Sequence, residues 1–182
     1  MNSELAAKVK LMIKPTDRII MAKKSLNKLN FPVRQSPGQY AFGPKPAGLW
    51  YAVGSEWIDW CQSEMPEWIG DKYYRIEVTD KVLKIDTEPK FMDFMKEFAE
   101  MEPPYKFATM DHPMFINSLR RDTMINWEKV AQQYSGIEIA PYRYDLRLEH
   151  MWYYGWDVAS GCIWDKSGIK SLKRIILRKP KI

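Results

Sequence analysis

Two parts of the chain combine aromatic rings with small residues or a carboxylate. The stretch KPAGLWYAVGSEWIDWC, residues 45–61, holds three tryptophans beside a Pro-Gly turn, and WYYGWD, residues 152–157, ends on an acidic residue. Aromatic faces stack on other rings, and a carboxylate stabilises positive charge that develops at a sugar carbon. The combination favours a pocket for a ligand with a base and a sugar. The alternative is that these tryptophans mainly fill the core.

Three carboxylates in the last third of the chain are candidates for the charge-stabilising group. Glu138 lies in the segment GIEI, Glu149 in LEHMW, and Asp157 directly before VASGCIW. The residue types alone leave all three open. A turn or capping role is the alternative for Asp157.

Several familiar kinds of site are not predicted. His112, His150 and two distant cysteines have no recognised metal-ligand spacing, so we expect no metal. The chain has no G-x-S-x-G elbow of a hydrolase. It also has no GxxxxGK[ST] or GxGxxG loop, so phosphates must be held in another way.

Length and composition are those of one globular domain. The chain has 182 residues, of which 46% are hydrophobic and 28% charged, and we expect a single domain over residues 1–182. No apolar run is long enough to span a membrane and no signal peptide is recognisable, so we expect a cytoplasmic protein without a membrane partner. The net charge is +5, and residues 170–182 carry six Lys or Arg. This basic segment favours contact with polyanions; the alternative is that it is a solvated surface.

The periodicity predicts a mixture of helices and strands. A helix is expected over about residues 3–13, ended by Pro15, and a strand over DRIIMAKKSL. Strands LWYAVG and GIEI and helices SEWIDWCQSEM, KFMDFMKEFAEM and INWEKVAQQY follow from the same patterns. YYRIEV and KVLKI, separated by Thr79 and Asp80, predict a hairpin. Few βαβ units are apparent, so the predicted class is α+β.

The order of these segments resembles the ADP-ribosyltransferase superfamily, in particular bacterial and phage NAD-using toxins and effectors. KPAGLWYA resembles the KPxGLWxS segment that lies against the nicotinamide ribose in such proteins. INWEKVAQQYSGIEI resembles their W-x-x-V-A-x-x-Y-D-G-I-x-I helix and strand, and SGCIWDKSGIKSL resembles the late strand and turn that follow the catalytic acid. The resemblance covers about residues 44–172.

This resemblance implies a fold of two small, roughly perpendicular β-sheets that form a cleft, with helices around them. The implied reaction cleaves the nicotinamide-ribose bond of NAD and transfers ADP-ribose to a macromolecular acceptor. The implied partners are NAD, an acceptor that is DNA, RNA or protein, and an antitoxin or inhibitor. NAD is then the substrate, and no metal is required.

The family's first motif places an Arg or His on an early strand. Met21, Ala22 and Lys23 stand near that place, so Lys23, Lys24 or Arg34 is considered as the cation instead. In the second motif Tyr51 matches, but Ala52 replaces the more usual Ser or Thr. In the third motif the family places its acid just ahead of the late strand, so the resemblance favours Asp157 for the catalytic role, with Glu138 or Glu149 in its place if the strand register differs. With Asp157, Glu138 and Tyr51 as catalytic candidates, the residues assigned to NAD are Arg34, Lys45, Gly48, Leu49, Trp50, Tyr51, Ala52, Trp57 and Ser160.

Other functions remain as alternatives. The missing first-motif histidine and Ala52 favour a binding module of the same fold that has lost its activity. An enzyme that removes a 2′-phosphate from RNA with NAD would require basic residues that are not matched here. The interpretation as a basic nucleic-acid-binding protein rests on the charge alone, since no recognised nucleic-acid-binding motif is present.

Overall fold

A computed structural model describes residues 2–35, 45–101 and 123–177 of the chain. His112, residues 36–44 and the last residues of the basic C-terminal segment lie outside the described residues. The strands are β1 (Arg18–Ala22), β2 (Leu49–Val53), β3 (Lys72–Val78), β4 (Val82–Ile85), β5 (Ala99–Met101), β6 (Thr123–Ile125), β7 (Gly136–Ile139), β8 (Ser160–Ile163) and β9 (Ile169–Arg174). The helices are α1 (Asn2–Lys10), α2 (Glu56–Glu64), α3 (Glu88–Phe98), α4 (Trp127–Gln133), α5 (Tyr144–Arg147) and α6 (Met151–Tyr154), with 3-10 turns at Pro66–Trp68 and Lys166–Gly168.

Most strands belong to a seven-stranded mixed sheet in the order β4-β7-β8-β2-β1-β3-β9, and β5 and β6 form a separate pair. Strand β1 pairs with β3 along all five of its residues, and β2 pairs with β8 over four. In contrast, β1 and β2 pair only where Arg18 meets Val53 and Ile19 meets Ala52. The sheet therefore consists of two halves that are joined by a short link, beyond which β1 and β2 diverge.

The sheet curls around one of its faces. Ile20, Tyr51, Ile76, Val82 and Ile163 pack together in one buried cluster, although they come from strands spread from β4 to β3. Side chains directly opposite each other on paired strands share a face, and the pairings place all of these on the same side of the sheet. We call this side the inner face.

Two separate layers cover the opposite side, which we call the outer face. Over the β4-β7-β8 half, a large aromatic cluster includes Phe91, Trp152 and Trp156. Over the β1-β3 half, helices α1 and α2 supply a second cluster that includes Val9 and Ile58. Because the layers belong to different halves of the sheet, they meet above the divergence of β1 and β2.

The predicted α+β class is confirmed, and most predicted elements are present with shifted ends. Helix α1 ends at Lys10, earlier than the predicted residue 13, and Leu11 is 89% exposed. No helix in the described ranges is long and apolar enough to cross a membrane.

The predicted hairpin between YYRIEV and KVLKI is wrong, although both strands exist. The two edges of β3 are occupied by β1 and β9, so β4 crosses to the other half of the sheet and pairs in parallel with β7. Alternation within each segment predicted a strand correctly, but it carried no information about which edge was already taken.

Candidate functional site

A cavity of about 230 Å³ lies on the outer face, where the two covering layers meet. Ile19, Met21 and Trp57 line it from the side of α1 and α2, and Trp50 and Trp156 line it from the aromatic layer. The remaining lining residues are Lys45, Tyr51, Ala52, Asp157, Val158 and Ser160. The cavity thus exists because β1 and β2 separate after two paired positions and leave the floor between the layers unfilled.

Tryptophans form the walls of this cavity. The rings of Trp50 and Trp156 meet edge to face, with their centroids 4.9 Å apart. Trp156 is 1% exposed, and its buried Nε1 has no acceptor among the described residues. A buried donor without a partner is costly, so an acceptor on a ligand would be favourable at this wall.

The charged groups that line the cavity are the Asp157 carboxylate and the Lys45 ammonium, and Arg147 pairs with Asp157 without being part of the lining. Asp157 accepts a hydrogen bond of 3.2 Å from Nη2 of Arg147, and its side chain is 19% exposed. Lys45 places its Nζ 5.2 Å from the centre of the Trp50 ring. Desolvation lowers the pKa of Lys45, although the charge of Asp157 acts in the opposite direction. Asp157 and Lys45 therefore interact electrostatically next to the ring of Trp50.

A second polar grouping lies on the inner face. The hydroxyl of Tyr51 donates a hydrogen bond of 2.9 Å to Oε2 of Glu138. Arg18 donates through Nη2 to Oε1 of the same carboxylate at 2.8 Å and through Nε to Oε2, so the ion pair is bidentate. The Glu138 side chain is only 7% exposed, while that of Arg18 is 23% exposed.

Gly161 is the reason that Tyr51 can reach Glu138. Gly161 in β8 pairs with Tyr51 on one side and with Glu138 on the other, so the three residues form a row across the inner face. A Cβ at Gly161 would lie 2.3 Å from Cζ of Tyr51. Because Gly161 has no side chain, the ring of Tyr51 has the space to cross β8 toward Glu138.

The pKa shifts show how this grouping is held. Burial raises the pKa of Tyr51 well above its ordinary value, and the neighbouring Glu138 charge adds to the effect. The hydrogen bonds to Glu138 raise the pKa of Arg18. Tyr51 consequently remains a protonated donor and Arg18 a cation.

The structure separates the predicted catalytic residues into two places. Asp157 lies at the cavity, whereas the side chains of Tyr51 and Glu138 point to the inner face, because residues alternate along β2 and β7. No hydrogen bond or ion pair in the described ranges joins Asp157 to either of them. Glu149 is exposed and does not line the cavity.

The residues predicted to bind NAD fall into two groups. Six of them line the cavity, namely Lys45, Trp50, Tyr51, Ala52, Trp57 and Ser160. Arg34 is exposed and lies outside the lining. Gly48 and Leu49 also lie outside it, and a Cβ at Gly48 would come within 2.3 Å of the Ile163 carbonyl oxygen, so Gly48 serves the close approach of β2 to β8.

Sequence reasoning missed two charged residues of these groupings. The family's cation was expected near Met21, whereas Arg18 stands three residues earlier, at the start of β1. Alternation along the whole strand points to Arg18. Arg147 had no comparable signal, since only the packing of α5 and α6 brings it to Asp157. The aromatic stretch WYYGWD did predict Trp156 at the pocket.

Comparisons of the chain with protein-family models, with curated proteins and with solved structures give no match. In the described ranges, no group of three or more His, Cys, Asp or Glu side chains is placed to hold a metal ion. The side chains that line the cavity provide aromatic faces, the Asp157 carboxylate, the Lys45 ammonium and the Ser160 hydroxyl.

Proposed function

We propose that this chain is an NAD-dependent ADP-ribosyltransferase that transfers ADP-ribose to a macromolecular acceptor, and that it acts as a toxin or as an effector in conflicts between phages and bacteria. The observation that carries the proposal is the meeting of Trp50, Trp156 and Asp157 at one cavity. The order of motifs that resembles this superfamily supports the same assignment.

The divided sheet also supports an ADP-ribosyltransferase-like fold. Its halves, β4-β7-β8-β2 and β1-β3-β9, are joined at two paired positions and enclose a common core. That arrangement agrees with a pair of small sheets with a cleft where they part. The cavity occupies this cleft on the outer face.

The cavity has the size and chemistry for one end of NAD. Pockets that enclose drug-sized ligands have volumes of roughly 300–1,000 Å³, and the 230 Å³ found here is enough only for a smaller unit such as the nicotinamide and its ribose. Trp50 and Trp57 offer ring faces, and the buried Nε1 of Trp156 would donate to an oxygen such as that of the carboxamide. Lys45 and Arg147 would attract the diphosphate.

The proposed chemistry uses Asp157 as the charge-stabilising group. The bond between the ribose C1′ and the nicotinamide nitrogen breaks, and its electron pair leaves with the nicotinamide, which departs as a neutral molecule. The positive charge left on the ribose is stabilised by the carboxylate. A nucleophile of the acceptor then bonds to C1′ and loses its proton, so one nicotinamide and one proton are released for each ADP-ribose transferred.

Glu138 is assigned a positioning role in this proposal. Both of its oxygens already accept hydrogen bonds, from Arg18 and from Tyr51, and its side chain is on the face opposite to the cavity. It holds Tyr51, whose neighbours Trp50 and Ala52 line the cavity. The positions of these neighbours therefore depend on the anchored tyrosine.

The test compares two substitutions that each replace a carboxylate by an amide. Nicotinamide release from NAD is measured for the wild type, for Asp157→Asn and for Glu138→Gln, together with NAD binding by calorimetry. We expect Asp157→Asn to lower the rate about 10²-fold or more while NAD still binds, and Glu138→Gln to have a smaller effect. If only Glu138→Gln abolishes release, the chemistry belongs to the inner face and the assignment of Asp157 is wrong.

A binding module is the second candidate, and the ion pair between Arg147 and Asp157 favours it. A carboxylate that is already paired with a cation has less capacity to stabilise further positive charge. NAD binding without release of nicotinamide would support the module. Absence of both binding and release would reject both functions.

A further inference from the structure

Three tryptophans form a cluster that begins at the cavity and extends to the surface. Trp57 lines the cavity and stacks on Trp60 with a centroid distance of 4.8 Å and an interplanar angle of 7°. Trp68 lies against both, with centroid distances of 6.1 and 5.9 Å. We call Trp57, Trp60 and Trp68 the tryptophan cluster.

The outer member of the tryptophan cluster is accessible to a partner. Trp68 is 47% exposed, whereas Trp57 and Trp60 are partly buried against the layer formed by α1 and α2. A tryptophan that only filled the core would not need to be exposed to this extent. An exposed Trp next to two further rings provides a preformed aromatic surface, which is the composition typical of binding surfaces.

The segment that supplies the tryptophan cluster carries a charge opposite to that of the whole chain. Residues 46–71 contain five acidic residues and no Lys or Arg, although the net charge of the chain is +5. Asp59 pairs with Lys10, Asp71 pairs with Lys72, and Glu56 accepts a hydrogen bond from the backbone N–H of Ala159. Glu64 and Glu67 are exposed and have no basic partner among the described residues.

These two carboxylates are close to the tryptophans along the chain. Glu64 is one turn of α2 after Trp60, and Glu67 directly precedes Trp68 in the 3-10 turn. A nucleic-acid backbone would be repelled by such a surface, because each phosphate is an anion. A cation, in contrast, is attracted both by a tryptophan face and by the carboxylates next to it.

We propose that the tryptophan cluster is the docking surface for an arginine-rich or lysine-rich segment of a protein acceptor. The planar guanidinium of Arg stacks on an aromatic face and pairs with a carboxylate, so an arginine-rich segment fits best. Because Trp57 belongs to both the cluster and the cavity, a segment docked on Trp68 and Trp60 leads toward the bound NAD. This inference rests on the proposed transferase function for its purpose, but the docking itself does not require NAD.

The direct test measures binding without NAD. A fluorescently labelled nine-residue arginine peptide, a lysine peptide of equal length and a nine-nucleotide single-stranded DNA are titrated with the full chain, and binding is followed by fluorescence anisotropy. Trp68→Ala and Glu64→Gln/Glu67→Gln are the test variants. Asp80→Asn/Asp93→Asn is the matched control, since it removes two exposed acidic charges from other elements.

We expect the arginine peptide to bind most tightly, and each test variant to weaken that binding about three- to thirty-fold, with the control within two-fold of the wild type. DNA that binds more tightly than the peptides, and whose affinity falls with Trp68→Ala but rises when the two glutamates are neutralised, would overturn the proposal in favour of a nucleic acid. Peptide binding equal in all variants would also overturn it.

Nicotinamide release from NAD in the absence of any acceptor separates this inference from the proposed function. Neither Trp68 nor the two glutamates line the cavity, so the test variants are expected to keep the wild-type rate of release. Loss of peptide binding with unchanged release supports the docking surface. A chain that binds the peptide through the cluster but never releases nicotinamide rejects the transferase function and leaves the docking surface in place.

Discussion

Tyr51 reaches across the intervening strand β8 and donates a hydrogen bond of 2.9 Å to Glu138, which lies 87 positions later in the chain. The contact ties β2 to β7 on the inner face, while Arg18 joins the same carboxylate from β1. Three strands from both halves of the divided sheet are thus connected through one buried side chain, beside the short link at which β1 and β2 part.

Tyr51→Phe tests the contribution of this hydroxyl. The variant keeps the ring and leaves Glu138 paired with Arg18, so we expect the free energy of unfolding to fall by only about 1–2 kcal/mol. Urea denaturation followed by circular dichroism measures the change. A loss much larger than this range would mean that the hydroxyl supports more than the single hydrogen bond.

Arg18→Met should be more damaging than Tyr51→Phe, because it leaves a carboxylate buried without its cation. We expect a loss of about 3 kcal/mol, the lower end for breaking a buried ion pair, since Arg18 is partly exposed. The double variant Arg18→Met/Glu138→Leu should recover much of this loss, because no isolated charge remains. Purely additive effects in this double-mutant cycle would contradict a direct energetic coupling.

Two glycines provide a matched test of the space around Tyr51. The new Cβ in Gly161→Ala would lie 2.3 Å from the Tyr51 ring and 2.7 Å from a backbone oxygen, so we expect a loss of stability of about 3 kcal/mol, at the upper end for overpacking. In Gly155→Ala the nearest atom would be Cε of Lys45 at 3.0 Å, the flexible end of a side chain that can move. Thermal unfolding should therefore distinguish the two variants, and equal midpoints would disprove the steric argument.

His150 predicts a pH dependence of stability. Burial lowers its pKa from the ordinary value of 6.5, so the unfolded chain binds a proton more readily than the folded one. The contribution of the neutral His150 side chain to the free energy of unfolding is fully present above pH 6.5. It is lost as the pH falls from 6.5 through the lower pKa of the folded state. His150→Phe, which retains a ring next to Phe91, should remove this part of the decline. Identical slopes below pH 6.5 in both proteins would refute the prediction.

Lys45 predicts a salt-dependent contribution to NAD binding. If its ammonium attracts the diphosphate, Lys45→Met should raise the Kd of NAD about tenfold at low ionic strength, and the difference from the wild type should shrink as salt is added. Lys24→Met is the control, because Lys24 is exposed and does not line the cavity. Calorimetric titration with NAD at two salt concentrations measures these Kd values. If Lys45→Met and Lys24→Met change the Kd equally, the prediction is wrong.

Alternation and helical periodicity were enough to predict the class and most elements, because these patterns depend on local backbone geometry. SGCI and GIEI are strands, and KFMDFMKEF is a helix that buries Phe91, Phe94 and Phe98 on one side. The start of α2 after Ser55 was also predictable from Ser55 and the acidic first turn, although the Ser55 hydroxyl donates to Asp59 and accepts no capping hydrogen bond from a backbone N–H. The same local patterns could not show that β4 pairs with β7, since pairing depends on which strand edges remain free.

The sequence alone therefore determined the α+β class, the segments that form strands and helices, and seven of the predicted site residues that line the cavity. Only the tertiary structure decided that Glu138 and Asp157 lie in different environments, and that Arg18 rather than Lys23 or Arg34 joins Tyr51. The physical reason is that alternation along β7 places Glu138 on the inner face, whereas Asp157 lies outside the strands, between α6 and β8, and reaches the cavity through packing. Which face carries a cavity and which is filled by the curled sheet follows from long-range packing, and no short segment contains that information.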